Sequence, residues 1–347
     1  MTDAPLQRAC PVCDSRSAAP LWRKGELTLV RCCECGMVYA NPMPAGMASG
    51  AFYDAAGKDY YLSPAKLESD YADVRFQREL KLFREFCPRG AVLDVGCSSG
   101  AFLFQLRKRW PSDYEILGTD VSGAPLDYAE SRGVPVARGS FLELDFDGRN
   151  KPTPDPSQEG SDKPTPHPSE EGSGARSFVP LQGGVRGGFS GKEKFDAVTF
   201  WAVIEHLAEP KRFLQKAHAL LKPDGLCFVL VPNLSSLAVR VLGAKYRYVY
   251  PQHLNYFSAR TLRKFAGPHF TCVEVRTTHF NPIVIWQDFR NQGRDVSNVE
   301  RAELLKRTTR YKQSTAMRPL KGLYRATEKI HGSLKLADNL AVVLRKR

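Results

Sequence analysis

Residues 91–102, which read AVLDVGCSSGAF, constrain the fold of this chain more than any other stretch. A short apolar run ends in Asp94, a turn bounded by Gly96 and Gly100 follows, and a helical pattern of apolar residues begins at Phe102. Glycines let backbone N–H groups approach a ligand where a Cβ would clash, and the N-terminus of the next helix carries a partial positive charge. The segment therefore predicts the first strand–turn–helix unit of a nucleotide-binding α/β sheet.

The glycine spacing argues against a dinucleotide site. A dinucleotide fingerprint has the pattern Gly-x-Gly-x-x-Gly, but Ser98 and Ala101 occupy its second and third glycine positions here. The pattern Asp-x-Gly-x-x-x-Gly instead resembles motif I of the class I S-adenosylmethionine (SAM) methyltransferases, in which the middle glycine is often present. A second apolar run ends in Asp120, 20 residues beyond Gly100. A carboxylate at that place can accept both ribose hydroxyls of a nucleoside.

Three later stretches extend this resemblance. Residues 195–210, FDAVTFWAVIEHLAEP, and residues 220–233, LLKPDGLCFVLVPN, look like the fourth and fifth strands of the methyltransferase family with their connections. Residues 248–257, YVYPQHLNYF, resemble the branch related to ubiquinone-biosynthesis O-methyltransferases. The resemblance implies an α/β fold with a Rossmann-like seven-stranded mixed sheet and helices on both faces. A small N-terminal zinc ribbon and a helical C-terminal insertion before the last strand complete the expected fold.

The same resemblance implies SAM as the cofactor and assigns residues to it. Gly96, Cys97 and Gly100 would line the loop against the methionine part of SAM, Asp94 would orient that loop, and Asp120 would take the ribose hydroxyls. The other cofactor-binding candidates are Val121 beside the adenine, Ser140 and Phe141 after the third strand, and Trp201 at the end of the fourth. Serine at 140 replaces an acid that the family often has, so its contact with the adenine amine departs from the family pattern.

Two histidines are candidate catalytic bases. His206 follows the fourth strand and His253 follows the fifth, on the side from which an acceptor approaches the SAM methyl group. An imidazole with a pKa of about 6.5 suits removal of a proton from a hydroxyl group or an activated carbon. In the alternative interpretation, either ring hydrogen-bonds to the backbone and fixes a loop.

Four cysteines have the spacing of a zinc ribbon. Cys10 and Cys13 form one C-x-x-C pair, Cys32 and Cys35 form another, and 18 residues separate the pairs. Two such knuckles offer four thiolates to a tetrahedral Zn²⁺, which leaves no open position for a substrate. The pattern predicts a structural zinc site, and four unrelated buried cysteines are the alternative.

Composition divides the chain into four predicted segments. Residues 1–45 form the zinc-ribbon-like segment, and residues 46–148 with 194–280 form the SAM-binding core. Residues 149–193 contain a Pro-rich unit repeated with a period of 12, then a Gly-rich stretch, and this composition predicts a disordered insertion. Residues 281–347 form a basic helical segment that ends in the last core strand.

The net charge of +13 at pH 7 is concentrated near the C-terminus, where residues 276–347 hold 16 Lys and Arg against 6 Asp and Glu. The basic helices have three open interpretations: a solvated face, a nucleic-acid surface, or peripheral contact with an anionic membrane or phosphorylated substrate. The sequence has no apolar run of about 18 residues and therefore predicts no membrane span. Nine cysteines without a leader pattern lead us to expect a reducing, cytoplasmic location.

Three functions remain in view. The first is methyl transfer to a small-molecule acceptor, by O- or C-methylation of a sugar, a glycolipid precursor or a quinone-like metabolite. The second is RNA methylation, because a zinc ribbon on a class I methyltransferase also resembles the bacterial rRNA guanine methyltransferases. The third is a non-catalytic SAM-binding scaffold. The sequence leaves the acceptor and the oligomeric state open.

Overall fold

The computed structural model describes residues 6–44, 60–146, 194–291, 297–313 and 331–347. The predicted repeat insertion at 149–193 lies outside these residues. The helices and strands named below all belong to one compact unit, built from chain on both sides of the insertion. None of the helices in the described part of the chain is long and apolar enough to cross a membrane.

The strands fall into an N-terminal group and a core group. The N-terminal strands are β1 (Ala18–Lys24), β2 (Leu27–Cys32) and β3 (Val38–Ala40). The later strands are β4 (Gly90–Val95), β5 (Tyr114–Asp120), β6 (Val136–Arg138), β7 (Phe195–Trp201), β8 (Leu221–Pro232), β9 (Asn255–Tyr256), β10 (Phe270–Thr278) and β11 (Asn339–Lys346).

The main sheet has seven strands in the order β6-β5-β4-β7-β8-β11-β10. Strands β4 to β8 pair in parallel, whereas β11 is antiparallel to both β8 and β10. This arrangement confirms the predicted mixed seven-stranded sheet, and it places the last strand next to the fifth strand of the core. The strand order reverses between β4 and β7, and open α/β sheets bind ligands outside the carboxyl ends of their strands at such a reversal.

The helices are α1 (Pro64–Asp70), α2 (Gln77–Phe86), α3 (Ala101–Arg109), α4 (Gly123–Ser131), α5 (Pro210–Leu220), α6 (Leu237–Leu242), α7 (Ala259–Ala266), α8 (Pro282–Arg290) and α9 (Asn298–Gln313). On one face of the sheet, Phe83 of α2 and Phe102 of α3 pack with Phe228 of β8. On the other face, Phe200 of β7 contacts Phe141. Because both faces are covered, the parallel strands are apolar along most of their length.

The N-terminal strands form a second, four-stranded antiparallel sheet in the order β1-β2-β3-β9. Its fourth strand, Asn255–Tyr256, lies far along the chain in the segment that contains His253. Leu27, Leu29 and Val38 of this sheet share a buried cluster with Leu254. The zinc-ribbon segment is therefore packed and hydrogen-bonded against the part of the core that follows His253.

Candidate active site

The loop between β4 and α3 requires its glycines. Gly96 and Gly100 have φ angles of 72° and 73°, in the left-handed region that favours glycine. A Cβ on Gly96 would lie only 2.7 Å from Cγ2 of Val203. The backbone N–H groups of Gly96 and Cys97 donate to the carbonyl oxygen of Thr119, at 2.7 and 3.1 Å. The loop is thus fixed on β5 and lies against the turn that follows β7.

Asp120, at the end of β5, closes this loop from the neighbouring strand. Its Oδ2 accepts from the backbone N–H of Ser98 at 2.8 Å, and its Oδ1 accepts from that of Ser122 at 3.1 Å. Burial raises the pKa of Asp120, and the backbone donors act in the opposite direction. A carboxylate has about four acceptor positions, so positions remain for ribose hydroxyls. The geometry fits the predicted cofactor role, which stays a prediction.

Asp94 makes a different contact from the expected one. Its carboxyl group is buried and Oδ1 accepts from the hydroxyl of Thr199 on β7 at 2.6 Å. Burial raises the pKa of Asp94 to about 7, the Thr199 hydrogen bond opposes the rise, and Asp120 adds to it. Thr119 and Asp120, rather than Asp94, accept from the loop amides in the described part of the chain. Asp94 therefore links β4 to β7 beneath the loop.

Three other predicted cofactor residues lie around the same edge. Cys97 is buried, and a Cβ on Gly118 would lie 2.6 Å from its Sγ, so its side chain points under the loop and leaves only backbone for a ligand. Val121 follows Asp120 and is 46% exposed. Ser140 is half-buried, and its carbonyl oxygen accepts the backbone N–H groups three and four residues further on.

The two predicted aromatic contacts have core positions. Phe141 is buried, with its ring centroid 6.2 Å from that of Phe200 and 5.6 Å from that of Phe213. Trp201 packs on Phe102 at 5.0 Å between centroids and on Phe228 at 6.2 Å. Large aromatic rings gain more free energy by packing in the core than at an open cleft. The sequence places both residues at or just after the end of a strand, but it does not indicate the direction in which their rings point.

Both candidate bases lie in one cluster with Glu205, which we call the acceptor cluster, and in it Glu205 and His253 are buried and His206 is partly exposed. The imidazole centroids of His206 and His253 are 4.6 Å apart, and His206 Nε2 lies 3.9 Å from Glu205 Oε1. One potential ligand atom from each residue lies within 4.8 Å of the others, so the three side chains could also hold a metal ion. The segments that carry them are joined, because the carbonyl oxygen of Glu205 accepts the backbone N–H groups of Leu254 and Asn255, at 2.7 and 2.9 Å.

The hydrogen bonds of the two rings determine their tautomers. Nδ1 of His206 lies 2.8 Å from the carbonyl oxygen of Gln252, and Nδ1 of His253 lies 2.9 Å from that of Tyr248. A carbonyl oxygen only accepts, so each Nδ1 carries a proton and donates. In a neutral imidazole, Nε2 then holds the basic lone pair.

Burial makes the acceptor cluster uncharged near neutral pH. It lowers the pKa of His206 to about 4, with the carbonyl of Gln252 opposing the shift. It also lowers the pKa of His253, and the neighbouring His206 contributes. Burial raises the pKa of Glu205 to about 8. Both carboxyl oxygens of Glu205 lack a hydrogen-bond partner among the described residues, so this group is the least satisfied of the three.

Comparison with known protein families shows which family the chain belongs to. The family model described as "Methyltransferase domain" matches residues 69–267, which is more than half of the chain. The chain belongs to the methyltransferase family. It is a SAM-dependent methyltransferase, and the predictions of an enzyme and of SAM as its cofactor are confirmed at that level.

Relatives of this methyltransferase include enzymes of ubiquinone biosynthesis. It is 28% identical over 200 residues to the ubiquinone biosynthesis O-methyltransferase of Actinobacillus pleuropneumoniae, an alignment that covers 55% of this chain and 70% of the relative. It is 28% identical over 196 residues to the enzyme of that name from Cereibacter sphaeroides, covering 54% and 60%. A SAM-dependent methyltransferase structure from Archaeoglobus fulgidus aligns with a TM-score of 0.45 at 15% identity, over 85% of this chain and all of that one.

The methyltransferase brings its four N-terminal cysteines together as predicted. Sγ of Cys10 lies 3.5 Å from that of Cys35, Sγ of Cys13 lies 3.5 Å from that of Cys32, and all four lie within 4.8 Å of one another. Tetrahedral zinc with Zn–S bonds of about 2.3 Å places its sulfurs about 3.8 Å apart. Burial opposes ionisation of Cys32, but backbone N–H groups outweigh it and lower its pKa to about 7. The donor set fits zinc, and Cys33 is exposed beside it.

Sequence reasoning missed four side chains around the methyltransferase site. Glu205 was passed over because a single acid beside a histidine carries no distinctive pattern. The hydroxyl of Tyr71 donates to the carbonyl oxygen of Ser99 in the glycine loop. Burial raises the pKa of Tyr61, and Asp120 and Glu205 both contribute, which places Tyr61 in electrostatic range of both halves of the site. The guanidinium of Arg301 lies 3.9 Å from the Tyr250 ring centroid. No sequence motif marks these positions.

Proposed function

We propose that this methyltransferase moves the methyl group of SAM to an oxygen or carbon atom of a small-molecule acceptor. The acceptor cluster is the observation that carries the proposal. It places basic Nε2 lone pairs and a protonated carboxyl group after β7 and β8, whose carboxyl ends share an edge of the sheet with Asp120. Val203, two residues before Glu205, lies against the glycine loop, so the two halves of the site adjoin.

The chain's own residues would divide the work between cofactor and acceptor. Bound SAM supplies an electrophilic methyl group on a sulfonium leaving group. Asp120 and the loop from Gly96 to Gly100 would hold the nucleoside and methionine parts and so align that methyl group. His253 would accept the proton that the acceptor hydroxyl or carbon loses, at Nε2, while its Nδ1–H stays on the carbonyl of Tyr248. Glu205 would stabilise the resulting imidazolium as a carboxylate, passing its own proton to solvent by way of Nε2 of the partly exposed His206, 3.9 Å away.

A small-molecule acceptor is favoured over RNA by the chemistry of this cluster. Its three titratable groups are neutral, Glu205 and His253 are buried, and Tyr61 and Tyr250 both lie in electrostatic range of Glu205. The relatives named above carry a name from small-molecule biosynthesis. Phosphate recognition would require exposed cations. An electrophoretic shift with total RNA tests the alternative, and a tight, salt-sensitive shift would favour it.

Single substitutions in the two halves of the site should separate binding from chemistry. His253→Asn and Glu205→Gln should lower methyl transfer by about 10²–10⁴-fold with SAM affinity near that of the wild type, because they act on the acceptor proton. Asp120→Ala should instead weaken SAM binding by roughly 1.5–3 kcal/mol, the cost of losing hydrogen bonds to a charged group.

Labelled SAM with a panel of sugar, phenol and quinol acceptors measures transfer, and titration calorimetry measures SAM affinity. His269→Asn is the matched control, since that ring lies beside His218 rather than in the acceptor cluster. Full activity in both His253→Asn and Glu205→Gln would refute the assignment of acid–base chemistry to the acceptor cluster.

A further inference from the structure

A hydrogen-bonded connection runs from the zinc ribbon to the acceptor cluster. Strand β3 of the ribbon pairs with β9, with Tyr39 opposite Asn255. The carbonyl oxygen of Leu254 also accepts the backbone N–H of Ala40 at 2.9 Å. The two residues after His253 therefore belong to the ribbon sheet and, at the same time, to the loop that holds this histidine.

Arg8, from the chain just before the first zinc knuckle, binds the same junction. Its Nη2 donates to the carbonyl oxygen of Leu254 at 2.6 Å and to Oδ1 of Asn255 at 3.1 Å. Its Nη1 donates to the carbonyl oxygen of Ala208 at 3.3 Å, and its Nε donates to that of Ala40 at 3.0 Å. One guanidinium thus joins the ribbon to the two core segments that carry the acceptor cluster.

Asn255 continues the connection to Glu205 and His206. Its Nδ2 donates to the carbonyl oxygens of Ile204 and Leu207, at 2.9 and 2.7 Å. The carbonyl of Glu205 is held by backbone N–H groups of Leu254 and Asn255. The turn at residues 204–207 is therefore fixed on three of its carbonyls by the two residues that Arg8 binds.

The environment of Arg8 explains why an arginine is needed there. Its partners are neutral oxygens, and no carboxylate among the described residues forms an ion pair with it. A cation without a counter-charge is retained only by well-placed acceptors. The planar fork of arginine reaches acceptors in several directions, and a lysine ammonium at the same place does not.

We propose that Arg8 is a positioning residue that makes the zinc ribbon part of the acceptor half of the site. It fixes Leu254 and Asn255, and through them the turn that carries Glu205 and His206. The SAM half is held separately, by Thr119 and Asp120 on β5. The inference rests on the proposed function only in treating the acceptor cluster as the half that faces the acceptor.

The test compares Arg8→Ala and Arg8→Lys with wild type. Arg23→Ala is the matched control, because Arg23 is an exposed ribbon arginine whose described hydrogen bond is to the carbonyl oxygen of Gly25. Zinc content, SAM affinity by calorimetry and the imidazole NMR signals of His206 and His253 are measured on histidine-labelled protein. His206→Asn and His253→Asn assign the two signals.

In Arg8→Ala, the signals of both rings should move and their pKa values should rise toward about 6.5, because water enters the loosened cluster. Zinc content should stay near one per chain, and the dissociation constant for SAM should change by less than about twofold, as for a distant site. Arg8→Lys should give an intermediate shift, and Arg23→Ala should match wild type.

Unmoved imidazole signals in Arg8→Ala would overturn the proposal. Parallel loss of zinc and of SAM affinity would overturn it as well, because Arg8 would then support the whole fold. If Arg8→Ala fails to fold, the same readouts on Arg8→Lys and on chelator-treated wild type decide the question. If wild type binds SAM but methylates no acceptor, that result counts against the proposed function. The imidazole signals can still be measured then, so the role of Arg8 is tested separately.

Discussion

At the scale of single residues, Glu205 shows how burial controls the chemistry of this site. Its carboxyl oxygens are enclosed without a described hydrogen-bond partner, and burial raises its pKa to about 8. The imidazoles beside it are neutral for the same reason, since a charge costs free energy where water is excluded. A neutral acceptor can therefore enter without first separating an ion pair.

This arrangement predicts a pH-dependent stability difference between wild type and Glu205→Gln. The folded pKa of Glu205, about 8, lies above the ordinary value of 4.5, so unfolding releases a proton between these pH values and wild-type stability falls as pH rises through that window. Glutamine lacks this proton. The free energy of unfolding of Glu205→Gln minus that of wild type should therefore be larger at pH 8 than at pH 5 by at least about 1 kcal/mol.

Thermal melts from pH 5 to pH 8 (a range set by the two pKa values) measure this difference. Contributions from His206 and His253 cancel in the comparison to first order. Glu209→Gln, at an exposed position paired with Arg212, is the control and should give a constant offset. If the stability difference between Glu205→Gln and wild type is also independent of pH, the Glu205 carboxyl group of wild type ionises normally in the folded protein.

At the scale of secondary-structure elements, the four clustered cysteines lie where the short strands of the N-terminal sheet begin and end. Strand β3 has three residues and β9 has two, and strands this short form only marginally stable pairs by themselves. Four thiolates on one ion would fix the ends of β2 and β3, and the β3–β9 pairing would carry that order into the core. Metal binding in such a small sheet is a large part of its folding free energy.

The zinc site gives a direct stoichiometric prediction. Freshly purified protein should contain about one zinc per chain, bound by four thiolates. Cys35→Ser should lose most of the metal and melt at a lower temperature, whereas Cys33→Ser should keep both properties, because Cys33 is exposed and outside the four-sulfur cluster. Elemental analysis and melting curves measure this. Metal-free wild type from an unchelated preparation would contradict the prediction.

At the scale of the whole molecule, part of the strong positive charge is used internally. Helix α9 packs on α1 through a buried contact of 2.5 Å between the hydroxyls of Ser69 and Thr309. Lys306 and Arg310 of α9 both pair with Glu68 of α1. These contacts dock the basic helix onto the domain that binds the cofactor. These two cations are thus paired within the chain, and neither ion pair calls on a nucleic acid or a membrane.

The repeat insertion, which lies outside the described residues, should be dispensable. Its composition offers no apolar face to a core, and closure of a shorter loop changes the free energy only slightly. Deleting residues 152–191 should leave solubility, melting temperature and SAM affinity near those of the full chain. Deleting α9 is the contrasting control and should lower the melting temperature, because it exposes the packed face of α1. Loss of SAM binding on removal of residues 152–191 would contradict this view.

The sequence by itself determined the local features of this methyltransferase. Gly96 and Gly100 mark the cofactor loop because only glycine takes its backbone angles without strain. Paired C-x-x-C motifs reveal the zinc ribbon because each knuckle is a local turn. Short apolar runs bounded by acids and turn residues predicted individual strands of the sheet. All three signals arise within a few residues of chain.

Only the tertiary structure decided which distant residues meet. The hydrogen bond of Asp94 to Thr199 and the packing of Trp201 on Phe102 could not be read from the sequence. The burial of the Glu205 carboxyl group and the hydrogen bond from Arg8 to Leu254 depend on contacts between segments about 50 to 250 residues apart. Such contacts follow from how whole elements pack, and no short stretch of sequence encodes them.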